Sequence, residues 1–246
     1  MILSVMQPTY LPWLGYFDLI DTADKFVFLD NVKLEKSDWH VRNRIKSAQG
    51  ALMLSVAVST PKGRLDTLIC ETEFKQGHHW RKKHLKSIFT NYRKSIYFDE
   101  FYPLLEEFYN RNEVSLSKFN IGLISKLCAL MGISTPLLLA SEIDDIHGVK
   151  DERLVSLCQK LSCDEYLSPI GSVNYLEENA PGGELVKGGV ELFYHQFTHP
   201  EYNQLYPRFI SHLSIIDALF NVGPEETLKL IRSARTSPKN YRFIDA

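Results

Sequence analysis

The sequence has little cysteine and no excess of charge of either sign. Its 246 residues include 4 cysteines, and 30 acidic side chains stand against 28 basic ones. A secreted disulfide scaffold would need denser cysteine, and a disordered chain would need a larger net charge and fewer apolar residues than the 44% present here. No C-x-x-C pair occurs, which disfavours a zinc or dithiol site. We therefore expect reduced thiols in a globular core at Cys70, Cys128, Cys158 and Cys163.

Long hydrophobic runs are also missing. No stretch of about 18 apolar residues occurs, and the start of the chain carries no positive charge. The net charge of −2 disfavours DNA as a partner. We expect a cytoplasmic protein without membrane insertion. The composition is compatible with a monomer or a homo-oligomer. A chain of this length buries about 70–75% of its unfolded surface, and we predict a single α/β domain over residues 1–246.

The first thirty residues give the clearest pattern. Ile2 to Met6 is a run of β-formers, Gln7 to Pro12 contains two prolines, Trp13 to Thr22 has helical spacing, and Lys25 to Leu29 is apolar again. This order predicts strand, loop, helix and strand, with the two strands parallel through a right-handed crossover. Ligands of such sheets bind beyond the carboxyl ends of the strands. The loop from Gln7 to Pro12 and Asp30 are therefore predicted at a ligand-binding site. Asp30 would bind a hydroxyl group or coordinate a metal there, and the alternative is that it caps the end of its strand.

The rest of the chain alternates between strand and helix patterns, which predicts an open, largely parallel α/β sheet with flanking helices. A helical insertion is predicted at about 76–132, with helices over 76–93, 100–109 and 115–131. Further helices are predicted over 150–161, 173–179, 214–220 and 225–233, the last two separated by Gly223-Pro224. Strands are predicted over 51–58, 67–72, 136–140, 165–167 and 190–197, the last as an exposed or edge strand, and residues 181–183 are predicted as a turn.

The proline-containing loop leads directly into a predicted helix, whose N-terminus attracts anions. Gln7 and Tyr10 are predicted to line a ligand pocket there, and Gly15 would let a ligand approach the backbone. In the alternative interpretation, Tyr10, Trp13 and Tyr16 cap the core and Gly15 permits tight helix packing.

The segment 33–45 has no clean period and is interpreted as a functional loop or short helix. Arg42 and Arg44 bracket Asn43, and two guanidinium groups can hold a phosphate or pyrophosphate. Trp39 is suited to stack on a base or a sugar ring.

The alternative for this segment is a solvated helix face. In that case Arg44 would pair with Glu35 or Asp38.

Two histidines are candidates for a general base. His195 lies on the strand predicted over 190–197 and His199 follows it, and a structural role for either remains the alternative. Tyr202 and Gln204 offer a hydroxyl and an amide suited to a sugar, and Ser168 follows another predicted strand.

Other charged positions are interpreted as structural. Asp217 lies within an apolar helix, where burial requires a partner, and a histidine or arginine is expected. His84 is predicted in the core. The run from Arg81 to Lys86 is interpreted as a solvated face, with RNA or an acidic partner as the alternative.

Several motifs resemble the WbqC-like protein family of bacterial surface-polysaccharide gene clusters. They are Gln7-Pro-Thr-Tyr-Leu-Pro-Trp-Leu-Gly-Tyr-Phe17, Phe26-Val-Phe-Leu-Asp30, Trp39 with Arg42-Asn-Arg-Ile45, Tyr166-Leu-Ser with Gly171, His199-Pro-Glu-Tyr-Asn-Gln204 and Leu213 to Gly223. The resemblance implies an enzyme of O-antigen or related glycan assembly. It would transfer a glycyl-like aminoacyl or acyl group to the amine of a nucleotide-linked amino sugar.

A second resemblance concerns Trp13-Leu-Gly-Tyr16. It is similar in position to the His-x-Gly-His signature of nucleotidylyltransferases and class I aminoacyl-tRNA synthetases, but keeps only the glycine. It implies a nucleotidyltransferase-like N-terminal unit, and the second hypothesis is an ATP-dependent nucleotidylyltransferase or ligase that uses ATP with magnesium. A third hypothesis is a sugar-binding or assembly partner without catalysis.

Overall fold

The structure is a computed structural model that describes residues 1–34, 39–63, 66–178 and 180–244. Its strands are β1 (Ile2–Met6), β2 (Lys25–Phe28), β3 (Arg42–Ser47), β4 (Gly50–Ser55), β5 (Val58–Ser59), β6 (Glu73–Phe74), β7 (Leu137–Leu139), β8 (Glu165–Ser168), β9 (Glu191–Phe197) and β10 (Arg235–Asn240). Its α-helices are α1 (Leu14–Thr22), α2 (Trp80–Tyr92), α3 (Phe98–Asn110), α4 (Leu116–Met131), α5 (Asp151–Lys160), α6 (Val173–Leu176), α7 (Gly183–Lys187) and α8 (Ile216–Ala234). None of these helices has the length and apolar character needed to cross a bilayer.

A six-stranded sheet has the order β10-β9-β8-β1-β2-β7. β1 runs parallel to both β2 and β8, β7 is parallel to β2, and β9 is parallel to β8. Only β10 is antiparallel to its neighbour β9. The expected largely parallel sheet with flanking helices is confirmed, as is the N-terminal order of strand, loop, helix and parallel strand.

The strand order reverses direction at β1. From β1 the chain builds β2 and β7 on one side, and then returns to place β8, β9 and β10 on the other. In open α/β sheets this switch point opens a crevice at the carboxyl ends of the strands, where ligands bind. Here that crevice lies beyond Met6 of β1 and Ser168 of β8.

Both faces of the sheet are covered by apolar layers. Successive residues of a strand point to opposite faces, so Phe26 and Phe28 pack with α1, α4 and α8, whereas Val27 packs with residues of α5 and α7 on the other face. Burial on both faces explains why β1 and β2 read as continuous apolar runs.

Three long helices, α2, α3 and α4, occupy the connection between β2 and β7. α4 follows from local signals: the Ser115 hydroxyl accepts from the Lys118 N–H at its start, and Gly132 ends it with a φ of 82°. The helix predicted over 76–93 begins at Trp80, later than expected.

Several predicted elements differ in the structure. Residues 42–47 form strand β3, which begins inside the segment 33–45 interpreted as a loop or short helix and pairs with β4 in a separate hairpin. The strand predicted over 67–72 is instead a short 3-10 helix, Ile69–Glu71. The predicted turn at 181–183 leads into α7, and α6 ends at Leu176.

β9 is an interior strand and not the predicted edge strand. The polar residues of β9 suggested exposure to solvent, but His195 is buried beside the carboxylate of Asp18. The edge strand on this side of the sheet is β10, a polar strand that we did not predict from the sequence. Pro238 lies within a register shift between Thr236 and Lys239, a position that an edge strand tolerates.

Candidate functional site

A cavity of about 390 Å³ lies at the carboxyl end of β1. Three segments enclose it: the loop between β1 and α1, the start of β3 with the residues before it, and the loop before α8. The lining residues are Met6, Thr9, Pro12, Trp13, Tyr16, Trp39, Asn43, Arg44 and His212. This volume is within the usual range for small-molecule sites.

The loop between β1 and α1 is fixed through its carbonyl groups. The Tyr16 hydroxyl donates to the Gln7 carbonyl at 3.0 Å, and Gln7 itself is not among the lining residues of the cavity. The Asn120 side chain donates to Pro8, and the Ile215 N–H donates to Pro12 at 2.8 Å. The loop's two prolines have no N–H to donate, but the Tyr10 N–H donates to the Trp39 carbonyl at 2.8 Å, so contacts with other segments hold the shape of the loop.

Asn43 is a positioning residue of the cavity wall. Its Nδ2 donates to the carbonyl groups of Tyr10 at 3.1 Å and Leu11 at 2.7 Å, and its Oδ1 accepts from the Arg44 N–H. Leu11 has a φ of 48°, which is unfavourable for a residue with a side chain. The buried amide therefore stabilises a strained part of the loop.

Arg44 and Arg42 lie beside the same indole ring. Their guanidinium carbons are 5.8 and 6.0 Å from the centre of the Trp39 ring, and 43% of Trp39 is exposed. Arg44 also lines the cavity, where its Nη2 donates to the His212 carbonyl at 3.2 Å. The Nε atoms of both arginines are buried and have no hydrogen-bond partner among the described residues. The two acidic residues considered as partners of Arg44, Glu35 and Asp38, lie outside the described residues.

His212 lines the cavity, and His199 lies behind it. The centroids of the two imidazole rings are 4.8 Å apart. The Trp13 ring stacks on His199 at 6.2 Å and lies tilted against His212 at 4.9 Å. The His199 Nδ1 donates to the Pro200 carbonyl, which leaves a lone pair on a buried Nε2 without a partner in the described structure. Burial and the neighbouring His212 lower the pKa of His199 to about 4. Burial and the Arg44 guanidinium lower the pKa of His212.

Tyr10 does not reach the cavity. Its side chain is 0% exposed, and its hydroxyl contacts His84 Nδ1 at 2.7 Å and the Tyr109 hydroxyl at 2.5 Å. Trp80 and Phe119 pack against its ring. The loop directs this side chain into the aromatic core, so Tyr10 is linked to the cavity wall only through its carbonyl, which accepts from Asn43.

Asp30 and Ser168 are buried at strand ends and serve local contacts. Both Asp30 carboxylate oxygens accept from Ser141, one from its N–H at 2.9 Å and the other from its hydroxyl at 2.6 Å. Asp30 therefore acts as a cap that joins the ends of β2 and β7. The Ser168 hydroxyl is fully buried and lies 3.4 Å from the Pro169 carbonyl.

Tyr202 and Gln204 belong to a buried polar network beside the cavity and are not lining residues. The Tyr202 hydroxyl donates to Asp217 Oδ2 at 2.9 Å, and Tyr92 donates to Asp217 Oδ1 at 2.7 Å. Asp217 is therefore anchored by two tyrosines, not by the histidine or arginine that we expected. Burial raises the pKa of Asp217. Gln204 accepts from the Lys46 ammonium group at 2.7 Å.

His195 belongs to a separate network of charged side chains between β9, β10 and α1. Its Nε2 contacts the fully buried Asp18 at 2.6 Å, and Arg235 donates to the other oxygen of Asp18 at 2.7 Å. Arg235 and Arg232 both pair with Asp21. This arrangement ties β9, β10 and α8 to α1, and His195 is not among the residues of the cavity.

Gly15 has a packing role. A Cβ at this position would lie 2.3 Å from Cη2 of Trp13, because the indole ring lies directly over the glycine. The space that we assigned to a ligand near Gly15 is therefore filled by Trp13, and the glycine places that ring at the cavity.

Sequence reasoning missed His212 and Asn120. Both reach the site through tertiary contacts, and neither belongs to a recognisable local pattern. The described residues contain no group of three or more His, Cys, Asp or Glu side chains arranged to hold a metal ion.

Comparison with known proteins agrees with the N-terminal and C-terminal motifs. An uncharacterized protein of Mycobacterium tuberculosis (strain ATCC 25618 / H37Rv), Rv1507c, is 34% identical over 223 residues, which cover 90% of this chain and 94% of that protein. No solved structure matches the chain. The profile of the WbqC-like protein family matches residues 7–229, which include every lining residue of the cavity except Met6. The chain therefore belongs to the WbqC-like protein family.

Proposed function

We propose that the protein transfers an aminoacyl or other acyl group to the amine of a nucleotide-linked amino sugar during the assembly of a bacterial surface glycan. The observation that carries this proposal is the cavity itself, which combines Arg44, His212 and two tryptophan rings. A cation, a base and two flat apolar surfaces match the phosphate, the amine and the rings of such a substrate.

The position of the cavity supports a nucleotide-linked substrate. It opens beyond β1, beside the switch point of a doubly wound sheet, where nucleotides bind in other proteins of this architecture. α1 begins at Leu14 on the same edge, so the positive end of its dipole lies near the cavity.

Arg44 is the proposed phosphate ligand. Its Nε is buried and has no hydrogen-bond partner among the described residues, and a phosphate oxygen would satisfy this donor. Arg42 also lies beside the Trp39 ring and would extend the cationic surface. Trp39 and Trp13 would stack on the sugar or the base.

His212 is the proposed base, in place of His195 and His199. It lines the cavity, whereas His195 is held by Asp18 and His199 is packed behind Trp13. Its lowered pKa keeps the imidazole neutral at pH 7, as a proton acceptor must be.

In the reaction, the amine nitrogen of the sugar attacks the carbonyl carbon of an activated acyl donor. The new C–N bond forms as the bond from that carbon to the leaving group breaks, and the leaving group departs with the electron pair. His212 takes the proton that the amine loses. The donor is of the thioester or acyl-phosphate class, because a free carboxylate has no suitable leaving group.

A second candidate is an ATP-dependent nucleotidylyltransferase or ligase, which the strand order favours. In that case ATP with magnesium would occupy the same crevice, and turnover would release pyrophosphate. Trp13 and Tyr16 stand where the similar enzymes carry histidines that stabilise the transferring phosphate, so Arg44 would have to provide that charge.

Calorimetry and thermal shift with a defined set of probes test the binding site. UDP-glucosamine should bind more tightly than UDP or glucosamine alone and should raise the Tm through linkage. Arg44→Met should weaken binding about 10- to 100-fold, because a charge-assisted hydrogen bond is lost, whereas Arg93→Met on the exposed end of α2 should not. No binding of any nucleotide-linked sugar, or unchanged affinity in Arg44→Met, would contradict the proposal.

Turnover is tested by mass spectrometry of the sugar product with acyl thioesters and with ATP, magnesium and glycine. An amide product formed from an acyl thioester without ATP supports the transferase, and a product that requires ATP and is accompanied by pyrophosphate release supports the second candidate. His212→Gln should retain substrate binding and lose turnover. Binding without any product would identify a sugar-binding protein instead.

A further inference from the structure

The loop between β9 and α8 has an unfavourable backbone at three positions. Tyr206, Arg208 and His212 have φ values of 67°, 67° and 57°. Residues with a side chain adopt this left-handed region reluctantly, and such positions persist only where the surroundings enforce them. His212, the proposed base, is the last of the three.

Side chains of β3 hold this loop in place. Arg44 and Lys46 lie two residues apart on one face of the strand. Arg44 Nη2 donates to the carbonyl of His212, and Lys46 Nζ donates to the carbonyl of Arg208. Two of the three strained residues therefore have their carbonyl groups bound by consecutive side chains on this face.

Lys46 also binds the loop through Gln204. Its Nζ donates to Gln204 Oε1 at 2.7 Å, and the same amide exchanges two hydrogen bonds of 2.9 Å with the backbone of Ile210. These contacts close a rigid turn over residues 204–210, two residues before His212.

The burial of Lys46 indicates what its ammonium group provides. The residue is 1% exposed, and burial of an ammonium group is costly. A methionine would fill a similar volume without that cost, but it has no donors. The charge lies near Asp217, whose oxygens are already bound by Tyr92 and Tyr202.

We infer that Lys46 is a positioning residue that holds His212 at the cavity through Arg208 and Gln204. The inference rests on the proposed function for the role of His212. The position of His212 can nevertheless be measured whether or not turnover is found.

The test is the NMR signal of the His212 imidazole in Lys46→Met, assigned by comparison with His212→Gln. In the wild type, Trp13 at 4.9 Å shifts this signal, and the charged and titratable groups that act on the ring are Arg44 and His199. In Lys46→Met, the signal should move towards that of an exposed histidine, and the pKa should rise towards about 6.5. Lys25→Met is the matched control, because Lys25 also donates to a backbone carbonyl, that of Leu161, at the opposite end of the sheet.

Kinetics provide the second measurement. Lys46→Met should lower kcat at least tenfold and leave KM for the nucleotide-linked sugar within about threefold, because Arg44 remains. If Lys46→Met does not fold, Gln204→Met, which removes the same link from the loop side, takes its place.

The outcomes separate the two proposals. A folded Lys46→Met with an unchanged His212 signal and titration overturns the inference even if turnover is found. A shifted signal without any turnover supports the inference on position and removes the proposed function. If neither variant folds, Lys46 serves folding itself, and the inference is overturned.

Discussion

At the residue scale, buried polar side chains in this protein mainly fix backbone carbonyl groups. Asn43 and Asn120 each donate to two carbonyls, and Lys46 donates to one. Each such group would be costly to bury alone, and each satisfies acceptors that no strand or helix partner reaches. The result is a cavity wall with little freedom to rearrange.

His84 is a different case, since its burial makes stability depend on pH. Burial lowers its pKa to about 4, whereas the ordinary value of about 6.5 applies in the unfolded chain. Between these values the unfolded chain binds more protons than the folded one. The contribution of His84 to the free energy of unfolding is therefore fully present above pH 6.5 and is lost as the pH falls towards 4. The loss attributable to His84 is about 3 kcal/mol, and urea unfolding of His84→Gln from pH 7 to pH 4 should show a correspondingly smaller decline.

The control for this prediction is His147→Gln, which changes an exposed imidazole. It should keep the decline of the wild type. His199, whose pKa is also about 4, contributes in the same range of pH. An equal decline in His84→Gln and the wild type would show that His84 is not the titrating group.

At the element scale, the edge strand β10 is held by charge more than by apolar packing. Arg235, its first residue, pairs with the fully buried Asp18 and with Asp21, and both acids lie on α1. His195 of β9 contacts the same Asp18 carboxylate. Elements distant in sequence are thereby joined at one buried carboxylate.

Removal of this contact should be costly. Arg235→Met leaves the Asp18 carboxylate with one partner, and we expect the free energy of unfolding to fall by about 2–3 kcal/mol, less than for a fully enclosed pair because the guanidinium group is partly exposed. Arg232→Met, which removes a mostly exposed pair with Asp21, should cost less than about 1 kcal/mol. Urea unfolding of both variants measures the difference, and equal losses would contradict the role of Asp18.

The kink in α8 makes a second prediction at this scale. Gly223 has a φ of 80° and a ψ of 170°, and a Cβ there would lie 2.6 Å from the Tyr97 ring. Gly223→Ala should destabilise the fold by about 2–4 kcal/mol, because the backbone region is nearly exclusive to glycine and the ring must also move. Gly171→Ala, where the Cβ meets open space, should stay within about 0.5 kcal/mol in the same thermal or urea measurement.

At the scale of the whole molecule, the sheet is best protected at its centre. β1 is flanked by β2 and β8 and covered on both faces, whereas the ladder of β10 is interrupted and its residues are largely exposed. Hydrogen exchange measured by mass spectrometry should therefore be slowest in β1 and β2 and fastest in β10. Equal protection of β10 and β1 would show that the molecule opens only as a whole.

The sequence was informative where local periodicity and tertiary burial agree. β1, α1 and β2 follow from apolar runs and helical spacing, and α4 follows from its caps. β3 was missed because Arg42-Asn-Arg44 shows no alternation of apolar and polar residues. The buried polar residues of β3, Asn43 and Lys46, bind carbonyl groups of segments distant in the sequence. His212 could not be predicted as part of the cavity, because its contacts to Arg44, Trp13 and His199, all distant in the chain, place it there.

The three tryptophans of the chain are distributed in a way that matters for measurement. Trp13 and Trp39 line the cavity, and Trp80 is enclosed among Phe74, Tyr109 and Phe119. Two of the three tryptophans thus lie where a small molecule would enter, and the emission of Trp80 provides a constant background that Trp80→Phe would remove. The intrinsic tryptophan fluorescence of the protein would therefore change when a ligand is titrated into the cavity, and it would report occupancy of the cavity without any attached label.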